Sequence, residues 1–72
     1  MSTFPNRLKE VRKIQNITQK QVADGIGVTE TQYQKYEHDK TKPSYMVIID
    51  LATYFNVSAD YLLGLSDNPE RR

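Results

Sequence analysis

Cysteine is absent from the 72-residue sequence. That excludes disulfides and thiolate zinc sites as staples, and it suits a reducing cytoplasm. No apolar run approaches the ~20 residues needed to cross a membrane. Met1 to Arg7 carries no apolar signal region, so an intracellular, cytoplasmic and unprocessed protein is expected. The alternation of apolar and polar residues that marks strands is missing too. His38 is the single histidine. No Cys/His/Asp cluster has metal-ligand spacing, and no Ser/His/Asp or paired-carboxylate set converges. The expectation is a protein that is not an enzyme and has no metal and no cofactor.

The chain also lacks a strong charge of one sign, its formal net charge being +1. The distribution is uneven. Arg7 to Lys42 holds eight basic residues against five acidic ones, while the remainder sets Arg71 and Arg72 against Asp50, Asp60, Asp67 and Glu70. Positive potential therefore lies in the first two-thirds. Taken alone, it reads as ordinary solvated charge.

What is present is helical periodicity. Phe4, Leu8, Val11 and Ile14 recur at helical spacing, which predicts a first helix from about Asn6 to Gln15. Thr18 with Gln21 is a capping-box pattern opening a second helix with Val22, Ala23 and Ile26 inward. Gly27 stops it, since glycine accepts the left-handed backbone that ends a helix. Thr29 with Gln32 repeats the start signal for a third helix, with Tyr33 and Tyr36 inward, fading near His38 and Asp39. A polar loop, Lys40 to Pro43, leads to Ser44, which caps a fourth helix bearing Ile48, Leu51, Ala52 and Phe55. Asn56 closes it. Ser58 opens a short fifth helix, Ala59 to Leu63, which Gly64 ends. Val28 and Val57 sit at turns as core plugs. The prediction is an all-α, compact five-helix single domain over 1–72, with a core of about 6–65 and a flexible tail over 66–72. A domain of this length buries only a modest core.

The stretch Gln19 to His38 carries the functional argument. Two short helices that cross steeply need a small residue where they touch, and Ala23 is placed for that. The connection must turn sharply at Gly27, and Val28 can fill the space beneath it. Glu30, Thr31, Gln32, Gln34 and Lys35 are left to point outward. On periodicity alone, an ordinary helical hairpin would share these features.

The residues carry a resemblance. Thr18-Gln19, Ala23, Gly27-Val28-Thr29, Tyr36-Glu37, Lys40-Thr41-Lys42-Pro43-Ser44, Leu51-Ala52 and the run Asn56 to Gly64 resemble the lambda-repressor-like helix-turn-helix family of the Cro and xenobiotic-response-element type. The likeness covers about Arg7 to Gly64. It implies a sequence-specific regulator of transcription that binds double-stranded DNA, a repressor, with a recognition helix of about 29–38 in the major groove.

The resemblance assigns roles residue by residue. Glu30, Thr31, Gln32, Gln34 and Lys35 are base-contact candidates. Gln32 or Gln34 suits an adenine edge, Lys35 a guanine or a phosphate, Thr31 a thymine methyl and Glu30 a cytosine amino group. Glu30 also reads as a first-turn acid favoured by the helix dipole. Gln19, Lys40, Thr41 and Lys42 are phosphate-contact candidates, and the lysines would make binding salt-sensitive. Arg12 and Glu37 are expected to form a partly buried structural pair. Asp39 stands where many members have glycine, which leaves the path of the following loop open. Gly25, inside the second helix, has no role in this reading and costs about 1 kcal/mol relative to alanine. His38 reads as a capping or surface residue.

Operators for this motif have two half-sites, so a homodimer is expected, with Tyr54, Tyr61, Leu62 and Leu65 as interface candidates and Met46 nearby. No small-molecule ligand and no membrane partner is indicated. The alternative function is a protein-interaction module, such as an antitoxin of a toxin–antitoxin pair.

Overall fold

Hydroxyl side chains start four of the helices. Thr18, Thr29, Ser44 and Ser58 each accept a hydrogen bond from the backbone N–H three residues on, satisfying one of the donors that every helix start leaves free. At Thr18 the bond is reciprocated by Gln21, completing a capping box. Thr29 has only the forward bond. The resulting order, in a computed structural model that describes residues 3–70, is α1 (Phe4–Ile14), α2 (Gln19–Ile26), α3 (Glu30–Glu37), α4 (Tyr45–Phe55) and α5 (Ala59–Leu62).

All five helices end alike. Asn16, Gly27, Asp39, Asn56 and Gly64 follow them with left-handed backbone. In each case the next residue's N–H reaches five residues back: Ile17 to Arg12, Val28 to Ala23, Lys40 to Lys35, Val57 to Ala52 and Leu65 to Asp60. This is the paired-bond stop that absorbs a helix's last carbonyls. Asp39 adopts the conformation at φ +57°, so the loop turns at an aspartate without needing glycine.

The core joins α1, α2, α3, α4 and α5 through Leu8, Val11, Val22, Ala23, Tyr33, Tyr36, Leu51, Ala52, Phe55, Val57 and Leu62. Ala23 is wholly buried, which lets α2 approach its neighbours closely. Ile14 departs from the periodicity. It is 70 % exposed, because it is the last residue of α1 and projects beyond the helices that cover Leu8 and Val11. Gln15 uses its side chain instead, donating from Nε2 to the Phe55 carbonyl at 2.8 Å and tying α1 to the end of α4.

Arg7 is the least expected core member, being 3 % exposed. Its guanidinium donates to the Tyr61 carbonyl at 2.9 Å, the Ser66 carbonyl at 3.1 Å and Asp67 Oδ1 at 3.1 Å. It also lies 4.1 Å from the centre of the Tyr61 ring. Ser66 and Asp67, at the start of the segment expected as a flexible tail over 66–72, are thus bonded to α1. The cap of α5 holds the segment as well: the Ser58 N–H donates to the Pro69 carbonyl at 2.9 Å. Arg71 and Arg72 lie outside the described residues.

Candidate nucleic-acid interface

α2 and α3 are joined by three residues, Gly27, Val28 and Thr29. Gly27 has φ +77°, a backbone that L side chains rarely adopt. Val28 is partly buried under the turn. The pair is braced at its other end by polar groups. Arg12 Nε donates to Glu37 Oε2 at 2.6 Å, and a second guanidinium nitrogen to Oε1 at 3.2 Å. This two-pronged geometry suits a planar guanidinium and a carboxylate. Arg12 also donates to the Ile17 carbonyl at 3.1 Å. The Glu37 side chain is 1 % exposed.

Burial pushes the Glu37 carboxyl up, but its neighbours Arg12, Tyr33 and Gln19 together outweigh it, and the net shift is below its ordinary value. The Arg12 guanidinium is raised, first by its hydrogen bond to Glu37. Tyr33 lies beside the pair. Its hydroxyl is buried without a hydrogen-bond partner, and burial, then the neighbouring carboxylate, raises its pKa strongly.

Two glutamines extend the network. Gln19 Nε2 donates to Glu37 Oε1, and Gln34 Nε2 donates to Gln19 Oε1, each at 3.2 Å. The row Arg12–Glu37–Gln19–Gln34 runs from α1 through α3 and α2 and back to α3. It holds Gln34 on the flank of α3 that faces α2.

The exposed face of α3 follows from its buried one. Tyr33, Tyr36 and Glu37 are buried. At 100° per residue, Thr31, Lys35 and His38 lie on the opposite side, and all three are exposed. Gln32 and Gln34 are half-buried on the two flanks. Glu30 is exposed and lines a shallow polar cleft with Arg12, Lys13, Thr18, Gln19 and Lys20. The five base-contact candidates therefore do not form one equivalent set. His38, read from sequence as a capping or surface residue, stands exposed on the same ridge as Thr31 and Lys35. The i, i+4, i+7 spacing of the three residues is visible in the sequence.

After α3, Lys40 and Lys42 are exposed and Thr41 is half-buried. Thr41 and Pro43 line a small cleft with Phe4, Ile48 and Leu63, so the loop runs against α1 and α4. The candidates for contact between copies separate. Leu62 is fully buried in the monomer core, which removes it from any interface. Tyr54 packs across Gly25 and donates to the Gln21 carbonyl at 3.4 Å. Tyr61 lies beside Arg7. Leu65 is 70 % exposed. Met46 is exposed as well, together with Tyr45 and Ile49. Among the described residues, no group of three or more His, Cys, Asp or Glu could hold a metal ion. No helix among them is long and apolar enough to cross a membrane.

Two short capped helices, a sharp glycine turn with a small residue at the crossing, and a second helix showing a polar face define a helix-turn-helix. The chain belongs to the helix-turn-helix domain family, whose model matches residues 6–67. It is 39 % identical over 67 residues to the uncharacterized HTH-type transcriptional regulator YobD of Bacillus subtilis, covering 93 % of this chain and 60 % of that one. It is 40 % identical over 58 residues to the cryptic phage CTXphi transcriptional repressor RstR of Vibrio cholerae, covering 81 % and 52 %. The chain thus spans little more than half the length of these relatives. Its fold matches the P22 c2 repressor, solved in complex with a synthetic operator, at a TM-score of 0.83 and 24 % identity, over 92 % of this chain and 100 % of that one. It also matches a transcriptional regulator from Listeria innocua at 0.80 and 32 % identity, over 86 % and 58 %. The fold is the all-α lambda-repressor-like one.

Proposed function

We propose that this chain is a sequence-specific double-stranded DNA-binding domain of a transcriptional regulator, acting as a repressor in the cytoplasm, with α3 in the major groove. The observation that carries this is α3 itself. It is fixed to α1 and α2 by Arg12, Glu37 and Gln19 while Thr31 and Lys35 stand exposed. Direct readout of a base edge needs such a helix, narrow enough for the groove and rigid enough to hold a register. The names of the relatives support the same reading.

Base contacts come from the set Glu30, Thr31, Gln32, Gln34 and Lys35. Phosphate contacts come from Gln19, Lys40, Thr41 and Lys42 on either side. Gln19 still has one amide N–H to donate after its bond to Glu37. The chain works as a homodimer on paired half-sites. Leu65, with Met46 and its exposed neighbours Tyr45 and Ile49, is the apolar surface available for that contact. No catalytic step enters this function.

The experiment is selection from a random double-stranded DNA library at modest salt. Enrichment of one motif, with affinity falling steeply as salt rises, is the expected result. No enrichment overturns the reading in favour of a protein-interaction module, such as an antitoxin.

A further inference from the structure

Asp39 turns the chain after α3 with left-handed backbone at φ +57°. Glycine takes that conformation without strain, and aspartate takes it less well. What aspartate adds is a carboxylate, and no group within the chain uses it. Lys42, three residues on, is equally unengaged. Among the described residues neither side chain makes a hydrogen bond or an ion pair, and both are exposed.

Both line one cleft. Its floor is apolar: Phe4 and Pro5 from the start of α1, Pro43 from the loop, Ile48 from α4 and Leu63 just past α5. Asp39 and Lys42 supply its charges, one of each sign. The cleft holds about 230 Å³, and an apolar cavity of ~150 Å³ is enough for benzene. It has room for one ring or one branched chain, and none for a helix, which is about 10 Å across. Two other clefts each lack one part of this arrangement. The one beside Glu30 has only Ile17 as an apolar wall. The one between α4 and residues 66–70 has two carboxylates, Asp60 and Glu70, and no cation.

An apolar floor with an acceptor and a donor of opposite charge beside it fits a small zwitterion with an apolar side chain. A carboxylate accepts from an ammonium group, and a lysine donates to a carboxylate. We propose that this cleft binds a free hydrophobic amino acid, with its side chain on the floor, its ammonium at Asp39 and its carboxylate at Lys42. The ligand then occupies the lysine that would otherwise meet a phosphate, so ligand and DNA oppose each other. Each lowers the affinity for the other by the same factor. This opposition rests on the DNA-binding function proposed above; the site itself does not.

Calorimetric titration of the full chain with L-phenylalanine, in the absence of DNA, tests the site. Glycine, N-acetyl-L-phenylalanine and L-phenylalanine amide each lack one of the three contacts. Each should bind more weakly than L-phenylalanine by about fivefold or more, the scale of one exposed ion pair. Asp39→Asn, which keeps the turn, and Lys42→Gln should each weaken L-phenylalanine by a similar factor. The amide should not respond to Lys42→Gln, nor the N-acetyl derivative to Asp39→Asn. Thermal melting checks that both variants fold. No binding of L-phenylalanine overturns the proposal. So does equal binding of glycine, or of either blocked derivative, since the occupant would then be the end of a peptide. Saturating L-phenylalanine should also weaken binding to a selected duplex by roughly tenfold, and lower the slope of log affinity against log salt by about 1. An unchanged duplex affinity overturns the opposition. A chain that enriches no duplex removes the DNA-binding function and the opposition with it, and the titration still decides the site.

Discussion

The ring of Tyr54 closes so tightly over Gly25 that a β-carbon at position 25 would run into its Cδ1 and Cε1 atoms. This accounts for a glycine in the middle of α2, which otherwise weakens the helix. The flat side of a hydrogen-only α-carbon is the seat on which α4 packs. Gly25→Ala should gain about 1 kcal/mol of helix propensity and lose more to overpacking, about 1–3 kcal/mol, for a net loss. In a Tyr54→Ala background the same change should instead stabilise, by about 1 kcal/mol. Urea denaturation of the four proteins in the cycle checks this. Equal effects of Gly25→Ala in both backgrounds would show that the ring is not the reason.

Glu37 ties stability to acid. Its carboxyl lies below the ordinary 4.5 in the folded chain, so the folded state binds fewer protons than the unfolded one at mildly acid pH. Its contribution is therefore complete above about 4.5 and is lost as pH falls through the lower folded value. Glu37→Gln should flatten that part of the stability–pH curve measured by urea midpoints. Glu37→Ala, which leaves Arg12 without its partner, should cost about 3–5 kcal/mol at neutral pH.

Arg7 is a buried guanidinium, and it serves the chain after α5. Arg7→Lys cannot reach Tyr61, Ser66 and Asp67 together, because an ammonium lacks the planar fork. A loss of about 1–3 kcal/mol is expected. Amide exchange at Ser58, whose N–H is held by the Pro69 carbonyl, should quicken more than exchange at Val22. Uniform acceleration across the domain would contradict a local clasp.

Lys40 and Lys42 bear on the proposed DNA contact. Replacing both with alanine should weaken binding by a similar factor for all sequences. It should also lower the slope of log affinity against log salt by roughly 2. Fluorescence anisotropy on a specific and a scrambled duplex measures both quantities. A variant that alters which duplex is preferred, with the slope unchanged, would argue that the loop reads bases.

Local chemistry made the helices legible in the sequence. Thr18, Thr29, Ser44 and Ser58 start helices by bonding a few residues ahead, and Gly27, Asn56 and Gly64 stop them by conformation alone. Such signals act within five residues. What escaped the sequence acts across the chain. Arg7 meets partners 54 to 60 residues away, so it reads as one more surface cation. Leu62 has the spacing of a surface apolar residue on a one-turn helix, and only the packing of α5 against α1 and α4 buries it. Ile14 errs the other way, because periodicity does not tell where the covering helices end. At the candidate site, the outward residues of α3 were readable as a set. Their division into a free ridge and a tethered flank depends on Gln19, 15 residues before Gln34.

The shared helix stop has an outcome at α3 that differs from the other four. The residue following the left-handed turn is Ile17, Val28, Val57 or Leu65 at those ends, and Lys40 here. A lysine on a slack loop would have to surrender backbone freedom on meeting a phosphate, at about 1–2 kcal/mol per residue fixed. The peptide N–H of Lys40 is already held by the Lys35 carbonyl at 2.9 Å. Only its side-chain rotamers remain to be ordered, so its ammonium is carried on a stalk stiffened during folding and ready before any ligand arrives.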